Sequence, residues 1–316
     1  MNPLSGLYGA AVGLRNSLYD RGVIRSRELE APVVSIGNIR VGGAGKTPFT
    51  IRLGELLKRR GMIFDVLSRG YKRQSTGVQV VNPNGEARDF GDEPLLIAKR
   101  LQVPVIVAEK RYEAGRLGEA QFQSQMHLLD DGFQHRQLAR QFEIVLLNEA
   151  DLADSLLPSG RLREPVSSLE RADVLVIPAD QKRELFSRFG KPLWRIRREL
   201  EMPGAVPNRP VVFCGLAKPE GFVGDLRARG VEPSCVVIFP DHHKFTRKDT
   251  EQLRWAMERN GADGFITTQK DLMNLGELVR QFAAISIPIL NVELEEADLC
   301  IDFLLQTIAS RQKHRS

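Results

Sequence analysis

The feature that most restricts this chain is the stretch SIGNIRVGGAGKTPFT, residues 35 to 50. The apolar run PVVSIGNI leads into it, and TPFTIRLGELLKRRG continues with helical periodicity and a stop at Gly61. Strand, glycine turn and helix in that order form a phosphate-binding unit, because glycines let backbone N–H groups converge on phosphate oxygens where a helix begins. The strict pattern G-x-x-x-x-G-K-[ST] is met at Gly45, Lys46 and Thr47 but not at its first position, where Arg40 stands. Gly42 and Gly43 place the backbone freedom two and three residues later. The candidate nucleotide-binding residues are therefore Gly42, Gly43, Ala44, Gly45, Lys46 and Thr47, with Lys46 bridging the β- and γ-phosphates and Thr47 holding Mg2+.

The segments after the loop agree with it. IFDVLSRGY, VPVIVAEK, MHLLDDGFQH, FEIVLLNEA and ADVLVIPA read as strands, and GDEPLLIAKRL and RYEAGRLGEAQFQ as helices between them. Such alternation predicts an α/β fold: a P-loop NTPase-type, mostly parallel sheet flanked by helices. Pro and Gly cluster in RELEMPGAVPNRP, residues 198 to 210, and a second α/β series comes after it. The expected division is a P-loop domain over 29–204 and a smaller C-terminal α/β lobe over 205–316, its last helix leading into a short basic tail. A cleft between two lobes is a favoured place for a ligand.

Residues 1–28 are expected to form an amphipathic helix. Leu4, Leu7, Tyr8, Ala11, Leu14 and Leu18 recur at helical spacing, accompanied by Arg15, Arg21, Arg25 and Arg27. Such a helix either lies in a membrane interface or packs on its own domain. No apolar run is long enough to span a bilayer, and no secretory signal is evident. The net charge of +5 suits an anionic partner without choosing one. Nucleic acid is disfavoured, because aromatics are sparse and neither a stacking platform nor a basic helix stands out. Cys214, Cys235 and Cys300 form no metal-binding pair and fit a reducing compartment.

The acidic residues have two readings each. Asp130 and Asp131 end an apolar strand, where they approach a magnesium ion or simply make a turn with Gly132. Asp92 and Glu93, just before Pro94, fit a helix start. His242, between Asp241 and His243, either orients a catalytic carboxylate or sits in a turn. Arg69, Lys72 and Arg73 either meet a phosphate or form a solvated basic loop. In TTQKD, residues 267 to 271, Lys270 and Asp271 are adjacent, so the spacing of the guanine-reading N-K-x-D is absent and a GTPase is disfavoured.

Taken together the segments SIGNIRVGGAGKTP, LSRGYKR, GDEP, PVIVAEKR, LLDDGFQHR, LLPSGRLREP, FPDHHKFT and ITTQKD resemble, in order and over nearly the whole chain, the tetraacyldisaccharide 4′-kinases, the lipid A 4′-kinases of the lipopolysaccharide pathway. The last motif of that family reads T-E-K-D, and Gln269 stands here in place of the glutamate. The resemblance implies ATP- and Mg2+-dependent phosphorylation of the 4′-hydroxyl of a lipid disaccharide monophosphate by a monomer at the cytoplasmic face of the inner membrane. It implies that 29–204 is a kinase domain and that the N-terminal helix docks on the membrane. It also implies that Asp92 and His242 are catalytic, and that Thr47, Glu93, Asp130 and Asp131 form the metal set.

Overall fold

The computed structural model describes residues 3–313. The chain opens with helix α1 (Pro3–Asp20) and strand β1 (Val33–Asn38), then α2 (Lys46–Arg59), β2 (Phe64–Ser68), β3 (Gln79–Val80), α3 (Ala87–Phe90), α4 (Asp92–Leu101) and β4 (Val105–Val107). It continues with α5 (Arg111–Phe122), β5 (Met126–Asp130), β6 (Phe142–Leu146), α6 (Glu149–Leu152), β7 (Val174–Pro178), α7 (Glu184–Ser187) and β8 (Leu193–Glu201). A second series holds β9 (Pro210–Cys214), α8 (Pro219–Arg227), β10 (Cys235–Ile238), α9 (Arg247–Arg259), β11 (Gly264–Ile266), α10 (Gln269–Leu275) and β12 (Ile285–Ser286). Strand β13 (Ile289–Leu294) and helix α11 (Ala297–Lys313) come last.

The large sheet has the order β13-β8-β7-β6-β1-β5-β2-β4-β3, parallel throughout except at its edge strands β13 and β3. Every residue of β1 is buried, as expected for a strand covered on both faces. On one face Val34 and Ile36 meet Phe49, Leu53 and Leu57 of α2 and Leu95 of α4. On the other, Val33, Leu67 and Leu129 pack with Ala114 of α5. The chain moves outward from β1 on one side through β2 and β4, inserts β5 beside β1, and then builds β6, β7 and β8 on the other side. The carboxyl ends of β1 and β5 thus lie side by side, with Ile36 in register with Asp130. A crevice at such a reversal is where open α/β sheets hold ligands.

The smaller sheet, β10-β9-β11-β12, is parallel. Phe213 of β9 is its packing centre, touching the rings of Phe239, Phe245, Phe265 and Phe282. The expected boundary of this lobe needs correction. Residues 205–316 do not form one unit, because β13 pairs antiparallel with β8 in the large sheet. Ile301, Leu304 and Ile308 of α11 then complete the core beneath α2. The apolar stripe of α11 finds its complement on the large lobe, a long-range match that local periodicity does not reveal. The smaller lobe is therefore an insertion between β8 and β13. The basic tail after residue 313 and residues 1–2 lie outside the described residues.

Candidate functional site

The glycine loop runs from β1 into α2 as expected. Gly42 and Gly45 have φ of 76° and 77°, the left-handed region that glycine occupies without strain. Gly45 is the N-cap of α2 and no side chain caps that end, so the first helical N–H groups remain for an anion. Lys46 Nζ donates to Asn38 Oδ1 at 3.2 Å and pairs with Asp131 Oδ1 at 3.3 Å. Arg163 grips both oxygens of Asp131, Nη1 donating to Oδ2 at 3.1 Å and Nη2 to Oδ1 at 2.8 Å. Lys46 is thereby held over the loop by groups that a polyphosphate can replace.

Beside it lie three carboxylates. Asp130 is fully buried at the end of β5 and accepts from Thr50 Oγ1 at 3.1 Å. Burial and the charges of Glu93 and Asp131 push its carboxyl up to about 7. Burial also raises Glu93, against the pull of Lys270. Burial raises Asp131 too, but Lys46 and Arg163 more than reverse this and hold it below the ordinary carboxylate range. Mutually repelling carboxylates next to a phosphate loop, one of them fully buried, have the chemistry of a divalent-cation donor set. Among the described residues no three His, Cys, Asp or Glu side chains converge closely enough to cage an ion alone. That suits Mg2+, which is commonly held by one or two carboxylates together with phosphate oxygens and waters. The residues present fit it, with Thr47 in the first turn of α2.

Asp92 opens α4 and is buried. Its Oδ1 accepts from Glu93 N–H at 2.9 Å, but the N-cap of α4 is Gly91 and no side chain caps that end, so Asp92 stands in the first turn without capping the helix. Its Oδ2 is also 2.8 Å from His242 Nδ1 and accepts from Asn274 Nδ2 at 2.9 Å. Lys270 Nζ lies 3.2 Å from His242 Nε2 and donates to Asp241 Oδ1 at 2.9 Å. With an ammonium facing Nε2, the ring proton sits on Nδ1 and is donated to Asp92. Burial raises the Asp92 carboxyl, but His242, Lys270 and Asn274 outweigh it, and the net shift is downward. Asp92 comes from the large lobe, and His242, Lys270 and Asn274 from the smaller one. A cavity of about 330 Å³ between the lobes reaches Asp92, His242, Tyr71 and Asn274.

The basic loop divides. Arg73 is buried against Glu109, donating to Oε1 at 2.6 Å, and to the carbonyls of Val107 and Gly77, so it braces the fold. Lys72 Nζ donates to the Asp241 carbonyl at 3.1 Å and ties the lobes. Arg69 is exposed. Its charge adds to burial in lowering the guanidinium of Arg111 to about 10, and Arg111 in turn helps burial lower His135 to about 3. Arg111 and His135 were not singled out in the sequence, nor were Asn38, Arg163, Lys270 and Asn274 given roles. Arg163 lies in LLPSGRLREP, and Lys270 and Asn274 sit four apart on α10, a spacing that puts them on one helical face. In TTQKD, Thr268 caps α10, and Asp271 accepts from its hydroxyl at 2.6 Å and from Gly215 N–H at 3.0 Å. Gln269 accepts from Arg100 Nη1 at 3.1 Å.

Helix α1 turns its apolar face outward. Leu7 is 71% and Leu14 64% exposed, with Val23 and Ile24 exposed nearby. The opposite face docks by polar contacts: Ser5 Oγ donates to Leu156 O at 3.1 Å, Tyr8 Oη to Arg163 O at 2.9 Å and Asn16 Nδ2 to Glu164 Oε2 at 2.8 Å. Tyr8 and Leu18, part of the expected apolar stripe, are half-buried.

The family model described as tetraacyldisaccharide-1-P 4′-kinase matches residues 1–309. The tetraacyldisaccharide 4′-kinase of Koribacter versatilis (strain Ellin345) is 46% identical over 99% of this chain and 100% of its own length. That of Aquifex aeolicus (strain VF5) is 38% identical over 89% of this chain and 91% of its own. A crystal structure of LpxK from Aquifex aeolicus in complex with ATP is similar with a TM-score of 0.79 at 35% identity, covering 97% of this chain and 98% of that one.

Proposed function

The chain belongs to the tetraacyldisaccharide-1-P 4′-kinase family, and on that basis we propose which of its residues carry each part of the reaction. The protein is an ATP-dependent kinase that phosphorylates the 4′-hydroxyl of a tetraacyl glucosamine disaccharide 1-phosphate in lipid A synthesis. The observation that carries the assignment of roles is the continuity of the acidic groups. Lys270 Nζ lies 3.2 Å from His242 Nε2 and 4.0 Å from Glu93 Oε1, Lys46 Nζ lies 3.3 Å from Asp131 Oδ1, and the charges of both lysines act on Glu93. The dyad and the glycine loop are thus parts of one electrostatic site.

In this reading the N–H groups of Gly42, Gly43, Ala44 and Gly45, with Lys46, bind the phosphates of ATP. Thr47 and one or two of Glu93, Asp130 and Asp131 would hold Mg2+, which would supply charge neutralisation at the phosphoryl oxygens. The acceptor hydroxyl enters between the lobes at Asp92. As its oxygen bonds to the γ-phosphorus and the bond from that phosphorus to the β–γ bridging oxygen of ATP breaks, its proton passes to Asp92. His242 orients Asp92 through Nδ1–H, and Asn274 fixes the other side of the same oxygen. Lys46 and the loop amides stabilise the charge of the transferring group. Lys72, which lines the cleft, and the exposed Arg69 meet the anionic acceptor in this reading, and Arg73 serves them as a brace.

The nucleotide lobe in this reading is 29–204 completed by β13 and α11. Among the described residues no helix is long and apolar enough to cross a membrane. The outward leucines of α1, with Arg21 and Arg25 beside them, support peripheral docking at the cytoplasmic face of the inner membrane. Because Tyr8 bonds to Arg163, that docking face is tied to the rim of the phosphate site. In this reading one chain supplies all these groups and works as a monomer on the lipid acceptor. Mass spectrometry of the lipid acceptor after incubation with enzyme and Mg-ATP tests the reading. One added phosphate at the 4′ position is expected; acceptor unchanged while ATP is hydrolysed would overturn it.

A further inference from the structure

Arg40 fills the position where the standard phosphate loop has glycine, yet its side chain is only 4% exposed. Its Nη2 donates to the Gly43 carbonyl at 2.9 Å, and its Nη1 lies 3.3 Å from Asp151 Oδ1. Asp151 is itself anchored at the start of α6, where Oδ2 accepts from Asn148 N–H at 2.9 Å and its own N–H donates to Asn148 Oδ1 at 3.2 Å. The backbone of Arg40 bridges to Leu162, and Val41 N–H donates to Arg161 O at 2.8 Å. The guanidinium is thus tethered at its stem and at its head. Gly43, by contrast, stands in open space: a Cβ there would meet nothing within 4 Å.

A peptide unit is planar and trans, so its carbonyl and the next N–H point in opposite directions. Pinning the Gly43 carbonyl therefore fixes the direction of the Ala44 N–H. We propose that Arg40 is a positioning residue for the nucleotide, presetting the Ala44 N–H toward the phosphates by holding the Gly43 carbonyl away from them. The inference rests on the reading of this loop as the ATP phosphate site. In the standard loop the first glycine lets the backbone adopt its turn; here a buried arginine, locked to Asp151, imposes the orientation from outside the turn. Without it the Gly43 peptide is free to turn its carbonyl toward the anion, and the loop binds ATP only in the fraction of molecules with the peptide correctly turned. Apparent affinity falls by that fraction.

The test uses the full chain and measures Mg-ATP affinity by calorimetry without acceptor, together with KM for ATP and for the lipid. Arg40→Lys keeps a cation for Asp151, but a single ammonium lacks the fork that serves Asp151 and Gly43 together. Arg40→Gly restores the template glycine. Both are expected to weaken Mg-ATP binding on the order of tenfold, with the acceptor KM unchanged. Asp151→Asn, which slackens the tether, should produce a smaller loss. Arg40→Lys decides the matter if Arg40→Gly does not fold, and wild-type ATP affinity in folded Arg40→Lys overturns the inference, including when its Tm is lowered. Lys46→Ala is run alongside. If it alone loses ATP, only the role of Arg40 falls; if it too binds ATP normally, the loop is not the phosphate site and both readings fall.

Discussion

His242 Nδ1 lies 2.8 Å from Asp92 Oδ2, although 150 residues separate them in the chain and they come from different lobes. The pair exists only when the lobes are juxtaposed, so the proposed base and the ring proposed to orient it are assembled together with the cleft. Asp92→Asn is expected to depress kcat strongly while ATP binding persists, since Asn fills the same space and its amide oxygen can still accept from Glu93 N–H. His242→Ala should lower kcat as well, and the double variant should lose less than the product of the two losses, because the pair acts as a unit. Steady-state kinetics at saturating ATP and lipid decide this. Wild-type kcat in Asp92→Asn would remove the dyad from the mechanism.

His243→Ala separates chemistry from packing. Its ring stacks on Phe239 with centroids 4.8 Å apart, and its Nε2 is 3.1 Å from Asp249 Oδ2. The expected result is a lower Tm with kcat nearly intact. A kcat loss as large as that of His242→Ala would mean that the two histidines share the work.

Lys46→Ala should reduce turnover on the order of 10²–10³-fold in a protein that still folds, as typical for removal of one preorganised electrostatic contact. Circular dichroism establishes the fold and phosphate transfer gives the rate. Near-normal turnover would place the transferred phosphate elsewhere.

The exposed leucines of α1 allow a gentler test than truncation, which would also remove the contacts of Tyr8 and Asn16. Leu7→Ser with Leu14→Ser is expected to leave Tm unchanged and to reduce flotation with anionic liposomes, at low and high salt alike, because the lost attraction is apolar. Equal flotation of both proteins would return α1 to a purely structural part.

Asp271 gives a pH prediction with a definite sign. Burial raises its carboxyl from 3.8 to about 6, partly offset by Thr268 and Gly215. The folded state therefore holds the proton more tightly than the unfolded chain. Its contribution to stability is full below about pH 4 and is lost as pH rises to about 6, roughly 3 kcal/mol across the window. Asp271→Asn, which cannot ionise, should gain stability relative to wild type as pH rises through that window. Thermal melts that stay a constant distance apart between pH 4 and pH 7 would contradict it.

The order of elements, the glycine loop and the strand ending at Asp130 were legible in the sequence because each depends on residues within about ten positions. The pairing of Asp92 with His242 was legible only through resemblance, since nothing near GDEP points to FPDHH. Arg163 on Asp131 and Asn274 on Asp92 escaped notice for the same reason, as both are single polar residues whose partners lie on other elements. Strand β13 was assigned to the wrong lobe because alternation in IPILNVELE tells that a strand has a buried face, not which sheet receives it. In α1 the leucines announced an apolar face, but the docking face is made of Ser5 and Asn16, which carry no periodic signal, together with Tyr8 from the edge of that stripe.

The return of β13 to β8 also governs the order in which the protein can be completed during synthesis. The outer edge of β8, with its N–H and C=O groups unpaired, must wait while the ribosome makes the whole smaller lobe before its partner strand emerges. Until then the nascent nucleotide lobe carries an open sheet edge and a bare patch beneath α2 where α11 will lie, the two features by which partly made chains stick to one another. Elongation through residues 210–286 is thus the interval in which a chaperone has most to protect.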